Sequence, residues 1–150
     1  MSERLLAQIN IATLRAPEGD PQVADFFANL DRINALAESS DGFVWRLTDD
    51  DGADATGIAV DENPATILNM SVWRDVEALR NFVYRSAHSE IMARRSEWMV
   101  PHDGPFQALW WIEDGTMPSA EDGLARFDHL RAHGPSSHAF TFATARQFDG

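Results

Sequence analysis

The sequence predicts an α+β domain whose elements run βαββαβ, followed by one further helix and strand. Three observations carry this. Short segments alternate apolar and polar residues, as half-buried strands do, and stretches with apolar residues at helical spacing lie between them. Helix-start signals stand at Asp20-Pro21, Asp75 and Ser119, and stop signals at Ser39-Ser40-Asp41-Gly42 and Gly134-Pro135.

The first strand spans Leu5 to Leu14. Leu5, Ala7, Ile9 and Ile11 face one way, and Gln8 and Asn10 the other. Asp20 is an N-cap with Pro21 at the first helical position. Val23, Phe26, Phe27, Leu30, Ile33 and Ala37 then keep a helical period. Phe43 to Thr48 is the second strand, and a turn at Asp49-Asp50-Asp51-Gly52 opens a connection reaching Pro64. Thr66 to Trp73 is the third strand. Asp75 starts a helix carrying Val76, Leu79, Phe82 and Val83. Phe106 to Glu113 is the fourth strand. Ser119 caps a helix whose buried side is Leu124, Phe127 and Leu130, and Gly134-Pro135 ends it. His138 to Ala145 is a fifth strand.

The first six elements match a ferredoxin-like unit. Its fourth strand carries Phe106, Ala108, Trp110 and Ile112 on one face and Leu109 and Trp111 on the other. Both sheet faces therefore need cover. A partner subunit is the simplest cover and predicts a homodimer; the last helix and strand can supply part of it instead.

Composition narrows the function classes. A chain of 150 residues, 44% hydrophobic and 24% charged, suits one globular domain over residues 1–150. A net charge of -12 argues against nucleic acid and against anionic membranes as partners. Cysteine is absent, which excludes disulfides, thiolate catalysis and cysteine-based zinc sites. The N-terminus lacks a signal peptide's apolar core and no run reaches membrane-spanning length, so a cytoplasmic protein is expected.

The most informative segment is Phe82 to Met99. At about 100° per residue, His88, Arg95 and Met99 share one helical stripe flanked by Ile91, Met92 and Trp98. A titratable ring, a cation and an indole on an otherwise apolar face resemble a pocket wall. Val76, Leu79, Phe82 and Val83 would point the opposite way on an unbroken helix. A break within 84–87 is therefore expected, with Ser86 capping a new helix and His88 in its first turn. The helix dipole there favours a neutral imidazole. Such a ring suits a general base, a haem ligand or a hydrogen-bonded core histidine.

Asn69-Met70-Ser71-Val72-Trp73 with Asp75, Leu79 and Phe82, then His88, Arg95 and Trp98, resembles the DUF3291 family. So do Arg126-Phe127-Asp128-His129-Leu130, Gly134-Pro135-Ser136-Ser137 and Ala139-Phe140-Thr141-Phe142. The resemblance covers nearly the whole chain. It implies a dimeric α/β barrel of the antibiotic-biosynthesis-monooxygenase-like superfamily, built by pairing the protomer sheet with a partner's. That superfamily also holds haem-degrading and chlorite-dismutase-like proteins, aldoxime dehydratases, muconolactone isomerases and EthD-like proteins. One fold thus implies no single chemistry.

The candidate catalytic residues are His88, as base or proton relay, and Arg95, which can hold a carboxylate or enolate or pair with a buried acid. The candidate substrate-binding residues are Trp45, Trp73, Met92, Trp98, Met99 and Trp110, which can equally be core or dimer interface. Asn10, Asn69 and Gln107 can orient a ligand oxygen, although periodicity alone does not assign their sheet face. His129 and His133 have a metal-like spacing, but they face solvent with no third ligand evident in the sequence, so no metal site is assigned. The Asp49–Asp51 run lacks the spacing of a calcium loop, and His102 lies in a turn. No cofactor is required by the sequence; haem is possible through His88.

These readings converge on a small-molecule enzyme for a hydrophobic, cyclic substrate, with monooxygenase or related oxidoreductase chemistry by family analogy. The alternatives are a non-catalytic module that binds a hydrophobic ligand and a cofactor-free isomerase or cyclase.

Overall fold

The computed structural model describes residues 4–16, 19–48, 65–85, 93–100 and 106–148. Strand β1 (Arg4–Thr13) is central. It pairs antiparallel with β3 (Thr66–Trp73) on one side and β4 (Gln107–Glu113) on the other, and β2 (Phe43–Arg46) adds beyond β3. The order β2-β3-β1-β4 is that of a ferredoxin-like sheet.

The helix starts form as their caps dictate. The Asp20 side chain accepts the Gln22 amide at 2.8 Å, and a 3-10 turn over Pro21–Val23 leads into α1 (Ala24–Glu38). Asp75 accepts the Ala78 amide at 2.8 Å at the head of α2 (Val76–Arg85). A short helix, α3, spans Arg95–Trp98. Ser119 accepts the Asp122 amide at 3.1 Å and starts α4 (Ala120–His133). Gly42 turns the chain from α1 into β2 at φ 85°, where a Cβ would come within 2.5 Å of the Ala78 Cβ. Only glycine meets both demands.

The two sheet faces carry different cores. One packs Leu5, Ala7, Ile9, Ile11, Met70 and Trp110 against Phe127 and Leu130 of α4. The other packs Leu6, Trp73 and Leu109 beneath α1 and α2. The second apolar face is thus covered by α4 from the same chain, and its burial does not call for a partner's sheet. Gly123 permits the close approach of α4: a Cβ there would lie 2.6 Å from the Met70 sulfur.

The expected fifth strand does not form. Only Phe140 bridges to Leu109, through reciprocal hydrogen bonds of 2.8 and 2.9 Å, and Phe142–Phe148 is a 3-10 segment. The cause is local. Thr144 Oγ1 accepts the Thr141 amide at 3.0 Å, and the Thr144 amide donates to the Thr141 carbonyl, so the backbone turns instead of continuing a ladder. The turn lets Phe148 stack on Phe140, with ring centroids 5.6 Å apart. The 49–52 turn, the Ser86 cap, His88, Met92 and His102 lie outside the described residues. No helix among the described residues is long and apolar enough to cross a membrane.

Candidate functional site

Sheet register builds the floor of the site. Gln8 lies opposite Ser71 and Leu109, and Asn10 opposite Asn69 and Gln107. Side chains that alternate along three adjacent strands therefore bring Gln8, Asn10, Asn69, Ser71 and Gln107 onto one face. They form a network. Gln8 Nε2 donates to Asn69 Oδ1 and to Ser71 Oγ, each at 2.8 Å. Asn10 Nδ2 and Gln107 Nε2 each donate to Gln8 Oε1 at 3.1 Å. Ser71 Oγ also accepts the indole N–H of Trp73 at 2.8 Å. The network fixes the Gln8 amide, which is almost wholly buried, and leaves the Asn69 Nδ2 group without a hydrogen bond among the described residues.

Between this floor and the helices lies a cavity of about 160 Å³. A space of about 150 Å³ in a protein core accommodates benzene. Its roof is Leu30, Ile33 and Asn34 of α1 with Leu79, Phe82 and Val83 of α2. Asn34 is buried, with 7% exposure, and its amide meets no hydrogen-bond partner among the described residues. Arg46 stands at the β2 side, tied to Glu38 at 3.0 Å. Arg95, Trp98, Met99 and Phe106 also line the cavity. The guanidinium of Arg95 lies over the Phe106 ring, 4.3 Å from its centroid, and has no carboxylate partner among the described residues. Burial pushes the Arg95 pKa below the ordinary arginine value.

Seven of the residues singled out in the sequence thus border one space: Asn10, Asn69 and Gln107 in its floor, with Trp73, Arg95, Trp98 and Met99. Trp73 is fully buried, stacked on Phe82 at 5.1 Å. Trp98 is held by Phe26 at 5.8 Å and by Arg94 over its ring at 4.7 Å. Met99 has left the helix; its backbone is extended and bridges to Leu14. Trp45 and Trp110, expected beside them, belong to the opposite sheet face. Trp45 is paired with Val72 and Trp110 with Ala7, and both pack in the core beneath α4. His88 and Met92 are outside the described residues.

Sequence reasoning passed over Ser71, Arg46 and Asn34, and did not assign a site role to Gln8. The available signal was the pair of polar residues two apart on each of two strands, Gln8 with Asn10 and Asn69 with Ser71. Fold-back also brings His138 beside His129, with ring centroids 4.6 Å apart, and His133 lies as close to His129 on the other side. Even so, no group of three His, Asp or Glu residues among the described residues is arranged to hold a metal ion.

The family model described as "Domain of unknown function (DUF3291)" matches residues 5–150. The chain belongs to the DUF3291 family. No curated protein matches it. Among solved structures, this DUF3291 protein is similar to SnoaB, a cofactor-independent oxygenase from Streptomyces nogalater. The identity is 16% and the TM-score 0.50, over 77% of this chain and 98% of that one. It is also similar to a protein of unknown function from Nitrosomonas europaea, at 16% identity and TM-score 0.47, over 80% and 100% of the two chains. A putative antibiotic biosynthesis monooxygenase from Chloroflexus aurantiacus matches at 14% identity and TM-score 0.45, over 77% and 97%.

Proposed function

We propose that this DUF3291 protein is a small-molecule oxidoreductase that oxygenates a hydrophobic, cyclic substrate in the cavity between its sheet and α1/α2. The observation that carries the reading is the construction of that cavity. Apolar rings enclose a ring-sized space, while an amide network and the Arg95 guanidinium, without a carboxylate partner among the described residues, supply convergent polar groups. The fold shared with a cofactor-independent oxygenase supports the reaction class.

Such chemistry asks the substrate to be electron-rich. An activated ring methylene loses a proton, and the carbanion gives its electrons to dioxygen. One oxygen atom stays as a carbonyl and the other leaves as water, so that CH₂ and O₂ become C=O and H₂O. In this scheme Arg95 stabilises the developing negative charge, with the Asn69 and Asn34 amide N–H₂ groups lining the same cavity. His88 is the base or proton relay. Trp73, Trp98, Met99 and Met92 hold the apolar body. Haem would bind through His88, which lies outside the described residues, and no described residue lining the cavity is a histidine. The resemblance to the dimeric α/β-barrel superfamily supports a homodimer.

One observation favours a second reading. Among the described residues lining the cavity there is no Asp, Glu or His, and the ionisable acid present is the Tyr84 phenol, weakly acidic. If His88 does not reach the ligand, the site binds without catalysing. An oxygen electrode with cyclic aryl ketones that carry an activated ring methylene, followed by mass spectrometry, separates the two. Protein-dependent oxygen uptake with one oxygen atom added to product, lost in His88→Ala, supports the oxygenase. Ligand binding without uptake, unaltered by His88→Ala, supports the binding module. Product formed without oxygen supports an isomerase or cyclase.

A further inference from the structure

We infer that the cavity takes its ligand as an anion: an apolar ring bearing one ionised oxygen group, held by Arg95 and by the amide N–H₂ groups of Asn34 and Asn69, which no described residue engages. The inference rests on the ligand cavity proposed above and adds the ligand's charge, which holds for a substrate and for a merely bound molecule alike.

The local charge runs against that of the whole chain. The protein carries 24 acidic residues against 12 lysines and arginines, so its overall field attracts cations. Yet among the described residues lining the cavity none is Asp or Glu, while Arg46 and Arg95 both border it. Arg46 is already matched by Glu38 at 3.0 Å. Arg95 is not matched. It sits half-buried over the Phe106 ring, 4.3 Å from the centroid, without a carboxylate among the described residues. A partly desolvated guanidinium without a counter-charge is unfavourable, and an anion entering the cavity removes that penalty. The Arg95 guanidinium makes no hydrogen bond to a described residue, so its N–H fork, which matches planar oxyanions, is left for a ligand.

The neutral groups agree. Asn34 is buried at 7% exposure with an amide that no described residue engages. Asn69 spends its carbonyl oxygen on Gln8 and Asn10, at 2.8 and 3.4 Å, so its N–H₂ is the side left over. The Asn69 N–H₂ group and the Arg95 guanidinium therefore offer donors to one space, and Asn34 adds its amide N–H₂.

The test compares benzoate with benzamide, which share a shape and differ in charge, by NMR titration of the full chain. The indole N–H resonances of Trp73 and Trp98 report binding in the cavity itself. Benzoate is expected to bind about tenfold or more tighter than benzamide, the usual scale for a hydrogen bond gaining a charged partner. Arg95→Gln is expected to erase that preference, and Arg95→Lys to keep part of it. 4-Nitrophenol, titrated above and below its ionisation, tests an ionised hydroxyl as the source of charge. Tightening on ionisation without a benzoate preference assigns the site to phenolates or enolates, and the converse assigns it to carboxylates. Equal affinity for benzoate and benzamide, with no gain when nitrophenol ionises, overturns the inference and leaves the cavity standing. No response to any of the three overturns both.

Discussion

Ser71→Ala tests the network under the cavity. The hydroxyl is buried at 6% exposure and accepts hydrogen bonds from two donors, Trp73 Nε1 and Gln8 Nε2, each at 2.8 Å. The losses are unequal. Trp73 is fully buried, and its indole N–H has no other acceptor among the described residues. Orphaning such a donor costs about 1–3 kcal/mol. Gln8 Nε2 keeps Asn69 Oδ1 at 2.8 Å, so it loses one of two partners, a loss of about 1 kcal/mol or less. Together these destabilise the protein by about 3 kcal/mol, which lowers Tm by about 6–12 °C for a chain of this size. Urea unfolding followed by tryptophan fluorescence measures it. Trp73→Phe in the same background removes the orphaned donor, so the double mutant should lose less than the sum of the singles, by about 1 kcal/mol. A Ser71→Ala stability within about 0.5 kcal/mol of the parent, or strict additivity with Trp73→Phe, refutes the network as described.

Other consequences are equally specific. Gly42→Ala should cost about 2–4 kcal/mol in urea unfolding, because φ is 85° and the new Cβ meets that of Ala78; a neutral effect would show that the turn relaxes freely. Phe127→Ala should cost about 3–5 kcal/mol, since the ring is buried at 2% exposure where α4 covers the sheet. A small effect there would mean that α4 is not the cover. Burial, then the charges of Arg126 and His129, holds the His138 pKa below its ordinary 6.5. The unfolded chain therefore takes up the proton first, and His138's contribution to stability is intact above pH 6.5 and declines as pH falls below it. The residue is largely exposed and only slightly desolvated, so the effect is small, and His138→Gln should flatten the acid-side slope of a stability–pH curve rather than shift its plateau. Arg94→Met removes exposed ion pairs to Asp25 and Glu97 at 2.9 and 3.0 Å and should cost under about 1 kcal/mol.

The fold was legible where local chemistry and tertiary packing agree. The caps at Asp20, Asp75 and Ser119 act locally, and the alternation of Leu5 to Ile11 meets the core as written. The C-terminal strand was not legible, because Phe140, Phe142 and Phe148 satisfy a strand pattern and a folded-back aromatic cluster equally well. The Thr141–Thr144 turn decides between them. Half of the site was legible for the same reason. Helical spacing places Arg95 and Trp98 together within one short segment, whereas the amide floor depends on a register between strands about 60 residues apart in sequence. Register also separates Trp73 from Trp45 and Trp110, which no one-dimensional pattern could do: the strand face of a tryptophan depends on its partner strands. The second sheet face was apolar as expected. Its cover is the protein's own helix, an alternative that sequence reading left open beside the dimer.

The central claim is that the space between the amide floor and α1/α2 is a ligand site. A crystal structure of the protein soaked with benzoate tests it most directly. The expected result is a ring lying between Asn69 and Asn34, its carboxylate within hydrogen-bonding distance of Arg95. A cavity closed by its own side chains, or benzoate bound only elsewhere, would contradict it.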